Sequence, residues 1–289
     1  MQLQNQRRPA WWLDARRRGA FEARAIAAFG LVLGLGVGLV VLPMTAAGAG
    51  ASGSANRFDA IIIDAGHGGK DEGAKGRGGL VEKDLVLDVS KRLARRLRKR
   101  GLEVHLTRSD DTFVPLEERT SRANDARGDL FISIHANASH SDQPRGIETY
   151  FVSLEASDAG ARRIAEIENQ ALGQSGAAAV AADPFVALLG DMIATDHMDD
   201  SSAFAKLAQA ELRDVGKVPS RGVKQAPFVV LMGVQMPAAL IEIGFMSNSR
   251  DVGELLTDAY RDQISGALAR AVFAFQKRYD ARRGIAASH

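Results

Sequence analysis

Three short apolar runs in this sequence each deliver a side chain that could bind a metal ion or transfer a proton. An isoleucine run at 61–63 leads through a glycine-rich turn to His67, a second apolar run ends at His135, and a third contains Glu242. Apolar runs of this length, bounded by glycine or polar residues, predict buried β-strands. Open α/β sheets bind their ligands at the carboxyl ends of the strands. We therefore expect the three side chains to meet at one edge of a sheet.

Glu82 is a fourth candidate, because it begins the first long predicted helix directly after the glycine-rich loop 66–79. A carboxylate in the first turn of a helix is favoured by the helix dipole, and the loop can fold that turn back over His67. Two histidines and one glutamate (His67, Glu82 and His135) form the ligand set of a hydrolytic zinc site with one position left for water. Hydrolysis also needs a carboxylate that is not a ligand, to move a proton from water to the leaving amine. Glu242 is the candidate, because a carboxylate in a buried strand is energetically costly and is therefore rare unless it has a function.

Each of these residues also has a simpler interpretation. His67 could be an ordinary loop histidine, Glu82 a charge that only stabilises a helix terminus, and His135 a hydrogen-bonded core histidine. Glu242 could pair with an arginine of the helix predicted at 115–127. The spacing contains no short metal-binding motif, so the residues alone leave these alternatives open. The glycine loop matches neither of the common phosphate-binding patterns, which argues against a phosphate site there.

Composition excludes several kinds of site and partner. With 289 residues, 46% of them hydrophobic, the chain can bury a large core. It contains no cysteine, which excludes disulfides and thiolate metal sites, so a zinc ion would need histidine or carboxylate ligands. Residues 1–57 carry seven arginines against two acidic residues, a net of +5, and the overall charge of +2 leaves −3 for the remainder. A mildly acidic folded part argues against nucleic acid as a partner.

The N-terminal region has the form of an export signal. A basic stretch at 1–24 precedes an uncharged segment at 25–56, whose most apolar part is 31–42, and small residues at 46–51 offer A-x-A-like cleavage sites. We predict that 25–57 is a signal peptide plus a short linker. A retained membrane anchor is the alternative, since about 20 apolar residues suffice to span a bilayer. Both predict export to the periplasm or cell envelope, with membrane contact only through an uncleaved N-terminal segment.

Strands and helices alternate along the rest of the chain, which predicts an α/β fold with a twisted, mostly parallel sheet flanked by helices. The predicted domain covers 58–280, with a helical insertion at about 155–216 and a tail at 281–289. After 216, a glycine- and proline-rich link leads to the last elements. The predicted elements are strands at 60–65, 102–107, 130–136 and 146–152, helices at 82–100, 115–127, 156–172, 184–197 and 201–215, apolar runs at 228–231 and 238–243, and a terminal helix that buries Ile264, Leu268, Val272 and Phe275.

Four motifs, in this order along the chain, resemble those of a known family. They are Asp64-Ala65-Gly66-His67-Gly68-Gly69, Glu82-Lys83-Asp84, Ser133-Ile134-His135-Ala136-Asn137 and Ile241-Glu242-Ile243-Gly244-Phe245-Met246-Ser247-Asn248. The chain from about 58 to 280 resembles the zinc-dependent N-acetylmuramoyl-L-alanine amidases of type 3, which include the AmiA, AmiB and AmiC enzymes of cell separation. The resemblance implies hydrolysis of the amide between N-acetylmuramic acid and L-alanine in peptidoglycan. By matching motifs, it also implies Zn²⁺ bound by His67, Glu82 and His135, with Glu242 as catalytic base and acid.

The resemblance also implies a role for the helical insertion. In the cell-separation members, an insertion here forms a helix that covers the zinc site until an activator of the LytM-domain type displaces it. The segments 165–169 and 188–202 resemble that insertion, and Glu168 is the candidate acid that would complete the metal coordination. His197 is a second, weaker candidate. The alternative is a surface helical pair that only packs on the sheet.

Two other functions stay open from the sequence. One is a catalytically silent amidase-like module that binds the cell wall or a partner protein. Such a module should have lost a metal ligand or Glu242, and none is missing. The other is a related zinc peptidase that cuts a different amide, because the substrate cleft cannot be derived from the sequence.

Overall fold

The computed structural model of the chain describes residues 57–170 and 184–285, with side chains in the second range from residue 197 onward. The predicted leader at 1–56 and the end of the predicted tail lie outside these ranges. None of the helices within them combines the length and apolarity needed to span a bilayer. In chain order the elements are β1 (Ala60–Ala65), α1 (Glu82–Arg98), β2 (Glu103–Leu106), α2 (Leu116–Asp125), β3 (Leu130–Asn137), β4 (Ile147–Val152), α3 (Ala159–Asn169), α4 (Pro184–Leu212), β5 (Ser220–Ala226), α5 (Val229–Met232), β6 (Ala238–Phe245), α6 (Ser249–Leu255) and α7 (Asp258–Arg282).

The strands form one mixed sheet in the order β2-β1-β3-β6-β4-β5. Strands β2, β1, β3 and β6 run parallel to one another, whereas β4 is antiparallel to β6 and β5 is parallel to β4. This arrangement confirms the predicted α/β fold with a mostly parallel sheet flanked by helices. The carboxyl ends of β1, β3 and β6 therefore lie at the same edge of the sheet as the amino ends of β4 and β5.

An apolar cluster covers each face of the sheet. Alternation along β1 sends Ile61 and Ile63 to the cluster shared with α1, α4 and α7, and Ile62 to the cluster shared with α2, α3 and α5. The terminal helix α7 buries all four of its predicted core residues on the first face: Ile264, Leu268, Val272 and Phe275. The predicted buried face of the terminal helix is therefore confirmed. A helix of this length can present a continuous apolar stripe to the sheet.

The insertion and the segment after it differ from the prediction. The two helices expected at 184–197 and 201–215 form one continuous helix, α4, since no glycine or proline separates them. The glycine- and proline-rich link contains an edge strand, β5, and the apolar run at 228–231 overlaps the short helix α5. Pairing with β4 gives β5 backbone hydrogen bonds that its local composition does not encode.

Candidate metal centre

A row of polar side chains crosses the sheet near the edge where β1, β3 and β6 end. Strand register places Asp64 beside Ser133, His135 beside Glu242, and Glu242 opposite Glu148. Directly paired residues on neighbouring strands share a face of the sheet. All five side chains are buried. The fold thus brings His135 and Glu242 together, as the sequence analysis expects.

His67 lies in the glycine-rich loop that follows β1. Its backbone has a φ of 58°, which is uncommon for a residue other than glycine. The ring Nδ1 lies 3.0 Å from Asp71 Oδ2, and the ring Nε2 lies 3.1 Å from Glu82 Oε1. A carboxylate on one ring nitrogen orients a metal-binding histidine and fixes its tautomer. His67 is therefore held with Nε2 facing Glu82.

Glu82 is the first residue of α1, and the loop returns it to the sheet. Its Oε1 accepts a hydrogen bond from the Ala136 amide at 2.9 Å, and its Oε2 accepts one from the Ala74 amide at 2.8 Å. Burial raises the pKa of this carboxyl, but the charge of His67 and the contact with His135 outweigh burial and hold the pKa below its ordinary value. Glu82 is thus fixed as a buried carboxylate between the two histidines.

His135, near the end of β3, supplies the other imidazole. Its Nδ1 lies 3.4 Å from Glu82 Oε1. The ring packs directly on Gly66, where a Cβ atom would lie 2.4 Å from ring atom Cε1. At Gly73 a Cβ atom would lie 2.6 Å from Glu82 Oε2, and the φ of 65° also favours glycine. The glycines of the loop therefore allow the backbone to approach the ligand side chains this closely.

Glu168 reaches the same centre from the insertion. It lies on α3, which begins at the N-cap Asp158 and buries a stripe at the i, i+3, i+4, i+7 spacing that ends at Glu168. Glu168 Oε2 lies 2.8 Å from His135 Nδ1 and 3.4 Å from His67 Nε2. The helix is fastened beyond Glu168 by Asn169, whose side chain bonds the Pro227 carbonyl and the Val229 amide, both at 2.9 Å. His197 is not part of this cluster.

The four side chains fit a metal ion. One ligand atom from each of His67, Glu82, His135 and Glu168 can be chosen so that all lie within 4.8 Å of one another. Among the described residues, His67 Nε2, His135 Nδ1 and Glu168 Oε2 are buried without a hydrogen-bond partner. They approach one another at ion-pair distance but without hydrogen-bond geometry, as atoms directed at a common point would. Two imidazoles and two carboxylates suit a divalent ion such as zinc.

Protons on the imidazoles offset part of the negative charge of the centre when no ion is bound. Burial lowers the pKa of His135, but the carboxylate of Glu168 overcomes this effect and raises that pKa to about 10. Burial acts on His67 in the same sense, and the charge of Glu82 again prevails and raises its pKa. In a metal-free state the two carboxylates therefore hold protons on the imidazoles, and a metal ion would replace those protons.

Glu242 and Glu148 are neighbours across the β6–β4 ladder with opposite surroundings. Glu148 accepts hydrogen bonds from the hydroxyl of Tyr150 at 2.6 Å, from Arg221 at 2.6 Å and from Lys224 at 2.9 Å. These bonds outweigh burial and lower the pKa of Glu148. Within the described residues, neither oxygen of Glu242 has a hydrogen-bond partner. Burial, reinforced by the charge of Glu168, raises the pKa of Glu242 well above its usual value.

Arg119 bears on the alternative that Glu242 forms an ion pair with the helix predicted at 115–127. The helix predicted at 115–127 forms as α2, and its Arg119 pairs with Asp64 at 2.7 Å, whereas no arginine bonds Glu242 in the described structure. The interpretation of Glu242 as half of an ion pair with that helix is therefore wrong. An unpartnered buried carboxyl with a raised pKa has the properties of a general acid and base.

A cavity of about 540 Å³ opens beside the centre. Its lining includes His67, Glu82, Glu168, Lys70, Phe113 and Ile167. The sequence analysis did not single out Asp71, whose only local signal is its position four residues after His67. It also missed Glu148, Arg108 and Arg119, since each acts through contacts between segments that are distant in the sequence.

Comparison with known proteins identifies the family. Residues 61–274 match the Amidase_3 family, described as N-acetylmuramoyl-L-alanine amidase. The chain belongs to this family. AmiA of Escherichia coli strain K12 is 36% identical over 222 residues, which are 76% of this chain and 77% of AmiA. LytC of Bacillus subtilis strain 168 is 35% identical over 210 residues, 73% of this chain and 34% of LytC.

Solved structures agree with this assignment. The crystal structure of an N-acetylmuramoyl-L-alanine amidase from Clostridium difficile 630 superposes with a TM-score of 0.59 at 27% identity, covering 77% of this chain and 98% of that one. The family match and the curated relatives confirm the resemblance based on the four motifs. The protein is therefore an enzyme of the N-acetylmuramoyl-L-alanine amidase class, with peptidoglycan as the substrate that fits it.

Proposed function

We propose that this amidase is zinc-dependent and hydrolyses the amide between the lactyl group of N-acetylmuramic acid and L-alanine, in cell-wall remodelling and daughter-cell separation. The observation that carries the proposal is the convergence of four ligand atoms within 4.8 Å beside Glu242, a buried carboxyl with no hydrogen-bond partner among the described residues. Membership of the amidase family supports the choice of substrate.

The roles of the residues follow from their positions. His67, Glu82 and His135 would hold the ion, and a zinc ion bound there would polarise the scissile carbonyl and lower the pKa of a water molecule. Glu242 takes a proton from that water and then gives it to the leaving nitrogen of L-alanine. Its raised pKa supports this double role, because a carboxyl that binds its proton more tightly is a stronger base and can still donate later.

We further propose that α3 holds the enzyme in a covered state. Glu168 lies against one ring nitrogen of each histidine, where it would take the coordination position that water or substrate needs, and the Asn169 contacts keep the helix in place. An activator of the LytM-domain type would then displace α3 to admit substrate. Export to the periplasm or cell envelope is part of the proposal, since peptidoglycan lies there and the leader has the form of an export signal.

The test combines metal content with product analysis on the purified protein. We expect one zinc ion per chain, measured by elemental mass spectrometry, and release from purified peptidoglycan of stem peptides that begin with L-alanine. Glu242→Gln should retain zinc and release nothing. Absence of zinc would contradict the proposed centre and favour a binding module. Cleavage at another bond would instead indicate a related zinc peptidase.

A further inference from the structure

Two arginine side chains bind three consecutive backbone carbonyls of the loop that carries His67. Arg119 of α2 donates through Nη1 to the carbonyl of Ala65 and through Nη2 to that of His67, each at 2.7 Å. Arg108, which follows β2, donates through Nε to the same Ala65 carbonyl at 2.9 Å and through Nη2 to that of Gly66 at 2.7 Å. The backbone leading into the histidine is thus held by guanidinium groups from two other segments.

The conformation of this loop needs such support. His67 has a φ of 58°, and a non-glycine residue in a sparsely populated region costs about 1–3 kcal/mol and persists only where its surroundings impose it. The direction of the imidazole depends on this backbone, because Cβ leaves the chain at the strained residue itself. Loss of the carbonyl contacts would therefore let the ring leave the metal centre.

Arg119 is itself held rigidly. It is buried, its Nε donates to the carbonyl of Val114 at 2.9 Å, and its Nη1 also bonds Asp64 Oδ1 at 2.7 Å. Asp64 in turn accepts hydrogen bonds from the hydroxyls of Thr107 at 2.6 Å and Ser133 at 2.8 Å. The charge of Arg119 is thereby compensated, and its planar fork is fixed with the remaining donors towards the loop.

Arg108 connects the loop to a second ligand-bearing segment. Its Nη2 also donates to the carbonyl of Lys83 at 2.8 Å, one residue after Glu82. Its Nη1 donates to the carbonyl of Asp110 at 3.0 Å, which steadies the guanidinium from the other side. One side chain therefore bonds both the backbone before His67 and the first turn of α1.

We propose that Arg108 and Arg119 are positioning residues that preorganise the metal centre by fixing the backbone that carries His67 and the turn that carries Glu82. The inference rests on the proposed function, because it concerns the ligands of the same centre. It differs from a purely structural role, in which the Asp64–Arg119 ion pair stabilises the fold without affecting the affinity for metal.

The test measures zinc affinity in the full chain, by competition with a chromophoric chelator, for the wild type and for Arg119→Lys and Arg108→Lys. Lysine keeps the charge but has no planar fork with which to bond several carbonyls at once. We expect the zinc dissociation constant of each variant to rise about 10- to 100-fold, the usual effect of losing a residue that orients a metal ligand. Zinc release to the chelator should be faster as well.

Arg122→Lys is the matched control. Arg122 lies on the same helix and bonds Glu118 and the carbonyl of Thr107, and among the described residues it makes no hydrogen bond to the loop. Its substitution should leave the zinc affinity unchanged. Circular dichroism and the melting temperature of the metal-free protein report on the fold separately. If Arg119→Lys does not fold, the zinc affinity of Arg108→Lys alone tests the proposal, because this variant leaves the Asp64–Arg119 pair intact.

The outcomes separate the two proposals. Folded Arg108→Lys and Arg119→Lys proteins with wild-type zinc affinity would overturn the positioning role, even if their melting temperatures fall. A wild-type chain that does not bind zinc would overturn the metal centre and this inference with it. A chain that binds zinc but releases no peptide even as Glu168→Gln, in which the covering contact is removed, would count only against the proposed hydrolysis, since the affinity measurement does not depend on turnover.

Discussion

Replacing Glu168 by glutamine should raise the basal hydrolysis of peptidoglycan, because it removes the charge that fastens α3 over the metal centre. Glu168 Oε2 lies 2.8 Å from His135 Nδ1 and 3.4 Å from His67 Nε2, and the side chain is buried. Removing one partner of a buried ion pair costs about 3–5 kcal/mol. Since about 1.4 kcal/mol is a factor of ten, the open state should become at least about 100-fold more populated relative to the covered one.

The remaining contacts of α3 set the upper limit of this gain. Asn169 still bonds the Pro227 carbonyl and the Val229 amide, and Ile164 stays in the apolar cluster below the helix. The assay is the initial rate of stem-peptide release from purified peptidoglycan by zinc-loaded protein without an activator. Glu166→Gln is the matched control, because Glu166 lies on the same helix but is exposed. It should leave the rate unchanged.

One result would refute the reasoning about α3. If Glu168→Gln binds zinc, folds as the wild type does and hydrolyses peptidoglycan at the wild-type rate or more slowly, Glu168 does not hold a covered state. The insertion would then be a helical pair that packs on the sheet, as the simpler interpretation has it. An equal increase for Glu166→Gln would also contradict the reasoning, since that side chain does not reach the centre.

Three further predictions concern the centre and its support. Glu242→Gln should raise the melting temperature of the metal-free protein, and by more at pH 8 than at pH 5. Burial raises the pKa of Glu242 in the folded state, so the unfolded carboxyl loses its proton first and the wild type becomes less stable as pH rises. An increase that does not depend on pH would contradict this reasoning. Gly66→Ala should weaken zinc binding at least tenfold, because its Cβ would lie 2.4 Å from the His135 ring, whereas Gly253→Ala, with nothing within 4 Å, should not. Phe275→Ala should destabilise the fold by about 3–5 kcal/mol in denaturant titrations while the zinc affinity stays at the wild-type value. A loss of zinc affinity in the folded variant would show that the apolar core at Phe275 and the metal centre are not independent.

Much of the fold and the candidate residues could be predicted because their signals are local. The strand predicted at 60–65 forms as β1 with the same bounds, and the four-residue spacing of apolar side chains predicts α1 and the buried face of α7. His67, His135 and Glu242 could be singled out because each follows or interrupts an apolar run, and Glu82 because it begins the first long helix after the glycine-rich loop. That His67, His135 and Glu242 lie close together follows from the parallel sheet, whose carboxyl edge collects the strand ends, whereas Glu82 is returned to that edge by the glycine-rich loop.

The partners of buried charges could not be predicted in this way. Asp64 and Arg119 are 55 positions apart in the sequence. Strands β4 and β5 are also distant along the chain and pair only after it has folded. The sequence by itself determined where strands and helices form and which side chains could do chemistry, because periodicity and burial preference act within a few residues. The tertiary structure alone decided that Arg119 binds Asp64, that Glu242 has no hydrogen-bond partner in the described part of the chain, and that Glu168 reaches the histidines. Those choices depend on which distant segments meet, and no local pattern encodes that.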